Sequence, residues 1–255
     1  MTRPSRLVPF ILVAALLAPA AHLLSAEGPA VRPEEFRYSW RLRGILSWFA
    51  GLRFPVSGTG ALKNSPAAGN RLESELVIRG KTRGDGQYVY RSEIDRDRAT
   101  TLMTYHGYEW EGRRRSEQTR FDYADRTAST RKEREEGKVE TKVRDIPARE
   151  MRDVLTGIHF LRRNAGTFDR SVTSEIYSDG SIYPVVFRRI GARTITFQGA
   201  ELPATLFEIT AAPGDQERWP GGVRVWLSPD ERRVPYRIEI QRSLASLRLE
   251  LESAH

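Results

Sequence analysis

The side chains that most often do chemistry are sparse in this sequence. After the first 26 residues the histidines are His106, His159 and His255, which show no ligand spacing, and cysteine is absent. A zinc site built of histidine and thiolate ligands is therefore close to excluded. His159 falls in an apolar stretch and is interpreted as a packed or half-exposed side chain rather than as a base. We expect no metal and no cofactor.

The sequence also gives little support for catalysis by a nucleophilic serine or by a pair of carboxylates. The sequence has no Gly-x-Ser-x-Gly motif, which marks one common class of nucleophilic serine. A Ser-His-Asp arrangement stays open, because its members need not be neighbours in sequence. Carboxylate pairs such as Glu133 with Glu135 lie among arginines, which is typical of solvated ion pairs. We therefore expect that the protein is not an enzyme, and an envelope hydrolase is the third hypothesis for its function.

The charge pattern is moderately basic. The chain carries 41 basic and 33 acidic residues, a net charge of +8, and acidic residues are interspersed throughout, which indicates an ordinary solvated surface. Attraction to anionic lipid headgroups or to nucleic acid is the sharper alternative. The densest basic run, residues 113–115, lies near Trp110, but Glu117 interrupts it. A nucleic-acid face needs a sustained positive stripe, so we expect no nucleic-acid partner.

The N-terminus resembles a secretory signal peptide. Arg3 and Arg6 precede an apolar run over residues 7–18, and small residues follow. Cleavage after Ala20 fits the small-x-small rule, and cleavage after Ala26 is the other site, with Leu24 as an unusual residue at the third position before the cut. We assign 1–26 to the signal and 27–255 to a single β-rich domain. An uncleaved anchor is the alternative, although the run is shorter than the roughly 20 apolar residues of a spanning helix. The expected location is periplasmic or secreted, with no transmembrane span after signal removal.

The clearest structural pattern is a hairpin over residues 221–239. Val223, Val225 and Leu227 alternate with polar or aromatic neighbours, as in a strand with one buried face. Residues 228–231, Ser-Pro-Asp-Glu, predict the turn. The return strand places Val234, Tyr236, Ile238 and Ile240 on one face.

Other alternating runs predict an antiparallel sheet along most of the chain. The predicted strands are 36–41, 56–64 (weakened by glycines), 72–79, 88–95, 100–108, 168–177, 182–189, 194–198, 204–211 and 244–251. The very polar residues 113–144 are interpreted as two or three solvent-facing edge strands with a turn near Gly137, and a surface helix or a disordered insert is the alternative. This charged middle could also separate two sub-sheets. Residues 42–54 could form a continuing strand, a short helical turn or a mobile flap. Their apolar side chains, which include Ile45, Trp48 and Phe49, are interpreted as core residues, with contact to lipid or a partner as the alternative.

One helix is predicted after this region. Asp153 can serve as its N-cap, an apolar stripe over residues 154–162 follows, and residues 164–166, Asn-Ala-Gly, end it. The whole pattern predicts a mainly β fold, either a sandwich or a single curved antiparallel sheet or partly closed β-barrel, with this one helix covering the sheet.

The aromatic side chains suggest a role in binding. They are numerous enough to fill either a dense core or an apolar cavity in the mouth of a barrel. In a barrel without a catalytic signature, an apolar or acyl-bearing ligand is the most economical active role. The candidate ligand-binding residues are Val225, Tyr236, Ile238, Phe187 and Phe207. The alternative is an interaction or scaffolding protein of the cell envelope that docks a protein partner on residues 113–144.

The C-terminal half resembles a known family. Residues 153–162, the strand pair over 193–209 and the segment VRVWLSPDERRVPYRIE (223–239) resemble the domain-of-unknown-function 3108 family of exported bacterial proteins. The resemblance is specific from about Asp145 onward, and it departs at residues 203–205, where Pro-Ala-Thr stands in place of the usual Gly-Thr step. It implies a fold and a compartment and no functional residue. The hairpin is also similar to that of periplasmic lipoprotein carriers, whose curved sheet under a helical lid holds acyl chains.

Overall fold

The computed structural model describes residues 32–44, 55–80, 86–135, 137–147, 150–168, 171–178, 180–216, 219, 221–242 and 245–255. The predicted signal peptide (1–26) and the three apolar residues Ile45, Trp48 and Phe49 lie outside these ranges. Within the described ranges, no helix combines the length and the apolar character that a bilayer crossing requires.

In the described ranges, fifteen strands form one sheet, and one helix accompanies it. The first eight strands are β1 (Glu34–Arg43), β2 (Ser57–Ala67), β3 (Arg71–Gly80), β4 (Gln87–Asp95), β5 (Thr100–Trp110), β6 (Arg113–Asp122), β7 (Thr127–Glu133) and β8 (Val139–Asp145). After the short β9 (Met151–Arg152) and the helix α1 (Val154–Asn164) come β10 (Val172–Ser178), β11 (Ser181–Phe197), β12 (Ala200–Ala211), β13 (Gly222–Leu227), β14 (Pro235–Arg242) and β15 (Ala245–Ala254).

The strand order is β8-β7-β6-β5-β4-β3-β2-β1-β15-β14-β13-β12-β11-β10-β9. Two antiparallel meanders therefore meet where β1 pairs with both β2 and β15, and only β9 runs parallel to its neighbour, β10. The mainly β fold with one covering helix is confirmed. The charged residues 113–144 form β6, β7 and β8 at one end of this sheet, so the hypothesis that they divide two sub-sheets is wrong.

The sheet must curl strongly, because its two end strands are close in sequence. Asp145 ends β8 and Met151 begins β9, and six residues of extended chain span at most roughly 21 Å. Fifteen strands laid flat would instead separate their outer edges by about 65 Å. Side chains hold the approaching halves together: the Tyr177 hydroxyl lies 3.0 Å from Thr119 Oγ1, and Met151 and Tyr177 pack with Phe121 in a second apolar cluster. The result is a partly closed barrel whose seam is made by side chains.

The main core lies between the concave face of the sheet and α1. Leu155, Ile158 and Leu161 are the buried stripe of the helix, and they belong to one cluster with inward residues of β1 to β3 and of β10 to β15. The ring of Phe160 meets that of Phe187 edge to face, with centroids 5.1 Å apart. Gly157 allows this close approach, since a Cβ atom there would lie 3.3 Å from Ile209 Cδ1. The predicted helix and its position across the sheet are confirmed.

The hairpin of β13 and β14 also follows the prediction. Val225 and Leu227 are fully buried, whereas Trp226 faces the other side, where the Arg237 guanidinium lies 5.4 Å from its ring centroid. The turn is longer than predicted. Ser228 N donates to Val234 O at 2.9 Å, so the return strand begins at Pro235.

Several strand boundaries differ from the sequence prediction. Residues 182–189 and 194–198 are parts of the single strand β11, because a bulge between Arg189 and Gly191 keeps the pairing with β12 continuous. β10 begins at Val172 instead of at residue 168, and β2 runs on to Ala67. Pairing with β3 extends β2, since Pro66 lies opposite Leu72.

A glycine in β2 has a packing role that the sequence did not indicate. The Trp40 indole N–H donates to Arg79 O at 2.9 Å, across the strand that holds Gly58. A Cβ atom on Gly58 would lie 1.8 Å from that carbonyl oxygen. The glycine therefore makes room for the buried indole rather than merely loosening the strand.

Candidate functional site

Two rows of side chains cross β4 to β8 on the concave face. In the first row Tyr90 pairs with His106, His106 with Glu117, and Glu117 with Lys132. In the second row Tyr88 pairs with Tyr108, and Tyr108 with Arg115. Directly paired residues point to the same face of a sheet. These rows line a concavity of about 780 Å³, which we call the tyrosine concavity.

The aromatic side of the tyrosine concavity is open to solvent. Tyr88 is 37% exposed and Tyr90 is 43% exposed, which is unusual for large side chains on an inward face. The rings of Tyr88 and Tyr108 stack with centroids 5.6 Å apart, and Tyr90 lies 6.4 Å from the His106 ring. Partial burial, and then the neighbouring Tyr108, raise the pKa of Tyr88. Tyr88 therefore presents a neutral ring face at physiological pH.

The charged side of the concavity is built around Glu117. This carboxylate is only 8% exposed, and Lys132 Nζ lies 2.5 Å from its Oε2. His106 Nε2 is 4.0 Å from the same oxygen, which is too long for a hydrogen bond. The Tyr177 hydroxyl approaches Oε1 from β10 at 3.5 Å. Glu117 is thus a buried anion with a cation on one side and two polar rings nearby.

The remaining charges at the rim are mutually paired. Arg115 bonds Glu135 at 2.6 Å, and Arg134 bonds Glu140 at 3.1 Å. Counting Lys132 and Lys138, four cations face four glutamates in the lining. The described side chains of this lining therefore carry no net charge. Of the arginines at 113–115, Arg115 lines the concavity, whereas alternation along β6 turns Arg114 to the opposite face.

A polar row separates the tyrosine concavity from α1. Ser92 donates to the Asp153 carboxylate, which also accepts from Thr156 N at 2.8 Å and so caps the helix. The backbone N–H of Asp153 donates to Thr101 Oγ1 at 2.9 Å. Burial, which hydrogen bonds from Ser92 and Thr156 oppose, raises the pKa of Asp153. This row is the physical boundary between the polar concavity and the apolar core.

We expect the two obvious substitutions of Asp153 to differ. Asp153→Ala should lower the free energy of unfolding by about 1–3 kcal/mol, because the cap is lost and buried donors lose their acceptor. Asp153→Asn should cost much less, since asparagine caps equally well and carries no buried charge. Urea denaturation of both variants measures the difference.

The pH dependence gives the control for this prediction. A raised pKa means that protonation favours the folded state, so the contribution of Asp153 to stability falls as the pH rises above its unfolded pKa of ~4. Asp153→Asn should therefore gain stability relative to the wild type between pH 4 and pH 7. Equal costs for Asn and Ala at pH 7 would show instead that the ionised carboxylate is required.

The five candidate residues from the sequence come together, but in the core. Val225, Ile238, Phe187 and Phe207 are fully buried, and Tyr236 is partly buried and stacks on Phe197 with centroids 6.1 Å apart. All five belong to the cluster under α1. The tyrosine concavity is lined by a different set of residues, which sequence reasoning missed. Tyr88 and Tyr90 at i and i+2 in a polar stretch were the available signal, but their partners on β5 and β6 depend on register.

Comparisons with known proteins identify a family and a fold. A family model described as "Protein of unknown function (DUF3108)" matches residues 38–252. The chain belongs to this family. No curated protein matches it in a sequence search. Among solved structures it is similar to the crystal structure of a β-barrel-like protein of domain of unknown function DUF1849 from Brucella abortus, with a TM-score of 0.55 and 9% identity, over 88% of this chain and 98% of that chain. At this identity the likeness concerns the fold alone.

The family match agrees with the resemblance predicted from the sequence and extends it. The sequence motifs were specific only from Asp145 onward, whereas the matched range begins within β1 and includes the strands of the tyrosine concavity. In the described part of the chain, no group of three or more histidine, cysteine or acidic residues is arranged to hold a metal ion. The lining of the concavity presents aromatic faces and ion-paired polar groups.

Proposed function

We propose that this DUF3108 protein is an exported binding protein of the cell envelope whose ligand lies in the tyrosine concavity. The observation that carries the proposal is the pair of exposed rings, Tyr88 and Tyr90, of which Tyr90 is in register with the buried Glu117 through His106. Exposed aromatic side chains beside a few convergent polar groups in a concave surface are typical of ligand sites. The volume, about 780 Å³, suits a ligand of drug-like size or a short oligomer.

The lining favours a neutral, polyhydroxylated ring compound, that is, a saccharide. The negative face of a tyrosine ring attracts polarised C–H groups, such as those on the flat side of a sugar ring. Carboxylates accept hydrogen bonds from hydroxyl groups, and guanidinium and ammonium groups donate to them. A charged ligand would have to break ion pairs such as Lys132 with Glu117, whereas a neutral one can bond to both members.

The N-terminal pattern supports the compartment of this proposal. Arg3, Arg6 and the apolar run over residues 7–18 are typical of an export signal. An exported protein meets the glycans of the envelope directly. Cell fractionation of the full-length chain should place the protein outside the cytoplasmic fraction, and its recovery with cytoplasmic markers would contradict export.

An apolar or acyl-bearing ligand is the other form of the binding hypothesis. Its expected contacts, including Phe187, Phe207 and Ile238, pack against one another and against α1. An acyl chain in that position would need α1 to move away from the sheet. The saccharide proposal needs no such movement, and for this reason we prefer it.

We propose binding without turnover. Glu117, the buried carboxylate of the concavity, is held by Lys132, and its other polar neighbours lie at the limit of hydrogen-bond distance or beyond. A bound oligosaccharide should therefore be recovered with unchanged mass after prolonged incubation. Cleavage products in the wild type that disappear in Glu117→Gln would assign a hydrolase instead.

A titration of matched tyrosine variants tests the binding proposal. Soluble oligosaccharides of hexose or N-acetylhexosamine units are titrated against the wild type, Tyr90→Ala and Tyr105→Ala, with calorimetry as the readout. Tyr105 precedes His106 on β5 and faces the opposite side of the sheet, so it controls for the loss of one aromatic ring. Tyr90→Ala should weaken binding about tenfold. An equal loss in Tyr105→Ala, or no binding by any oligosaccharide, would contradict the proposal.

Docking of an envelope protein remains a second candidate, and one observation favours it. β8 ends the strand order beside β7, and it exposes Val139 by 45% and Val143 by 63%. Terminal strands can accept an added strand from a partner. Val143→Pro should then abolish co-purification of a partner while Tyr90→Ala leaves it unchanged. Co-purification that survives Val143→Pro would count against docking at β8.

A further inference from the structure

We propose that a second site, formed by a basic cleft at the opposite end of β4, binds a phosphate-bearing anion. The basic cleft is lined by the arginines Arg32, Arg96, Arg162, Arg163, Arg232 and Arg233 and has a volume of about 710 Å³. Arg96 directly follows β4, whereas Tyr88 lies near its start. Eight residues of strand separate the two positions by roughly 27 Å, so this site is distinct from the tyrosine concavity.

The charge balance of the basic cleft differs from that of the tyrosine concavity. Among the described residues that line it, Glu34 and Glu231 are the acidic side chains beside the six arginines, so the side chains carry four positive charges in excess. Such an excess in a concave, partly desolvated surface attracts and holds anions. The neutral lining of the tyrosine concavity, at the other end of the same strand, shows that this excess is a local property of the cleft.

Three of the six arginines form hydrogen bonds or ion pairs within the protein. Arg162 makes a bidentate contact with Glu34 at 2.8 and 2.9 Å, and it also donates to the backbone oxygens of Arg232 and Arg233. Arg163 donates to Asp97 O at 2.6 Å, and Arg233 donates to Pro229 O at 2.6 Å. These contacts fix the walls of the cleft.

The guanidinium groups of the other three arginines are not engaged by the described part of the fold. Among the described residues, no hydrogen bond or ion pair engages the side chains of Arg32, Arg96 or Arg232, although they line the same cleft. Each guanidinium offers five N–H donors in a planar fork, which matches the oxygens of a phosphate group. A phosphate-bearing anion would supply the acceptors that these three side chains lack.

The wall of the cleft also contains an unsatisfied buried nitrogen. His159 lines the cleft, and its Nε2 atom is buried without a hydrogen-bond partner among the described residues. Burial, and then the charges of Arg162 and Arg163, lower the pKa of His159 to about 4. A buried polar atom without a hydrogen-bond partner lowers stability. The Nε2–H group of His159 could donate to an oxygen of a bound anion and so gain a partner.

The test uses the full chain and three anions at matched ionic strength. Inorganic phosphate and a soluble short-chain phosphatidylglycerol distinguish a free anion from a lipid headgroup, and acetate controls for general screening. We expect saturable calorimetric binding of phosphate or of the phospholipid, and none of acetate. Arg96→Gln and Arg232→Gln should each weaken it about tenfold, the loss expected for a charge-assisted hydrogen bond.

Arg98→Gln is the matched control for these variants. Arg98 lies two residues from Arg96, its side chain is 70% exposed, and that side chain lies 3.9 Å from Glu150. Arg98→Gln therefore removes the same charge from outside the cleft. It should change the affinity less than twofold. An equal loss in Arg98→Gln, or no saturable binding of either phosphate compound, would overturn the proposal.

The histidine provides a readout that needs no substitution. The NMR signals of the His159 ring should shift as phosphate is added to the wild type, and its pKa should rise above about 4 because a bound anion favours the protonated ring. A His159 ring that does not respond to saturating phosphate would also overturn the site. Neither result depends on ligand binding in the tyrosine concavity.

Discussion

Phe187→Ala should lower the free energy of unfolding by about 3–5 kcal/mol. Phe187 is fully buried, its ring meets Phe160 of α1 edge to face, and it belongs to the core cluster that joins α1 to β11 to β15. Truncation removes both the transfer free energy of the ring and its packing contacts, and the close-packed neighbours relax only partly. Urea denaturation at constant pH measures the change.

Val172→Ala is the matched control for this prediction. Val172 lies directly opposite Phe187 on β10 but is 41% exposed, so its truncation should change stability by no more than ~0.5 kcal/mol. Comparison of the Phe187→Ala and Val172→Ala variants also distinguishes a packed core from an acyl-binding cavity. If Phe187→Ala kept the stability of the wild type and abolished binding of a fluorescent fatty acid, Phe187 would be the wall of an acyl cavity rather than a packed residue.

His159 should make the protein sensitive to acid. Burial is the main cause of its low pKa of about 4; Arg162, Arg163 and Arg96 lower that pKa further, and Glu34 opposes them. In the unfolded chain the pKa is ~6.5. The neutral ring therefore contributes stability above pH 6.5, and this contribution is lost as the pH falls toward 4. The loss between pH 7 and pH 4.5 should be about 2.5 kcal/mol.

His159→Leu isolates this effect from the titration of carboxylates. Both proteins lose stability in acid, but the variant should lose about 2.5 kcal/mol less than the wild type between pH 7 and pH 4.5. The comparison is made by urea denaturation in a phosphate-free buffer, since phosphate is the proposed ligand of the basic cleft. Parallel pH profiles for the two proteins would show that His159 is charged or solvated in the folded state.

Local patterns in the sequence predicted the secondary structure well. Alternation identified β13 and β14, and the Asp153 cap with the apolar stripe identified α1, because each of these signals lies within a few neighbouring residues. The charged residues 113–144 were correctly interpreted as strands at the edge. β11 was predicted as two strands, since the bulge at Gly191 is stabilised by pairing with β12, which is a long-range property.

The candidate site was harder to predict for the same reason. The tyrosine concavity depends on Tyr90, His106 and Glu117 being in register across β4, β5 and β6, and the position of one strand against the next cannot be read from alternation alone. The curl of the sheet brings Tyr177 toward Glu117. This curl depends on contacts between residues even further apart in the sequence. Buried aromatic positions such as Phe207 were visible in the sequence, but alternation does not distinguish a packed core from a cavity.

A crystal structure of the protein with its tightest-binding oligosaccharide tests the central proposal most directly. The account predicts a sugar ring on the faces of Tyr88 and Tyr90, with hydroxyl groups bonded to Glu117 and Lys132, and no displacement of α1. A ligand beneath α1, in contact with Phe187 and Phe207, would contradict it and would assign the binding role to the core residues instead.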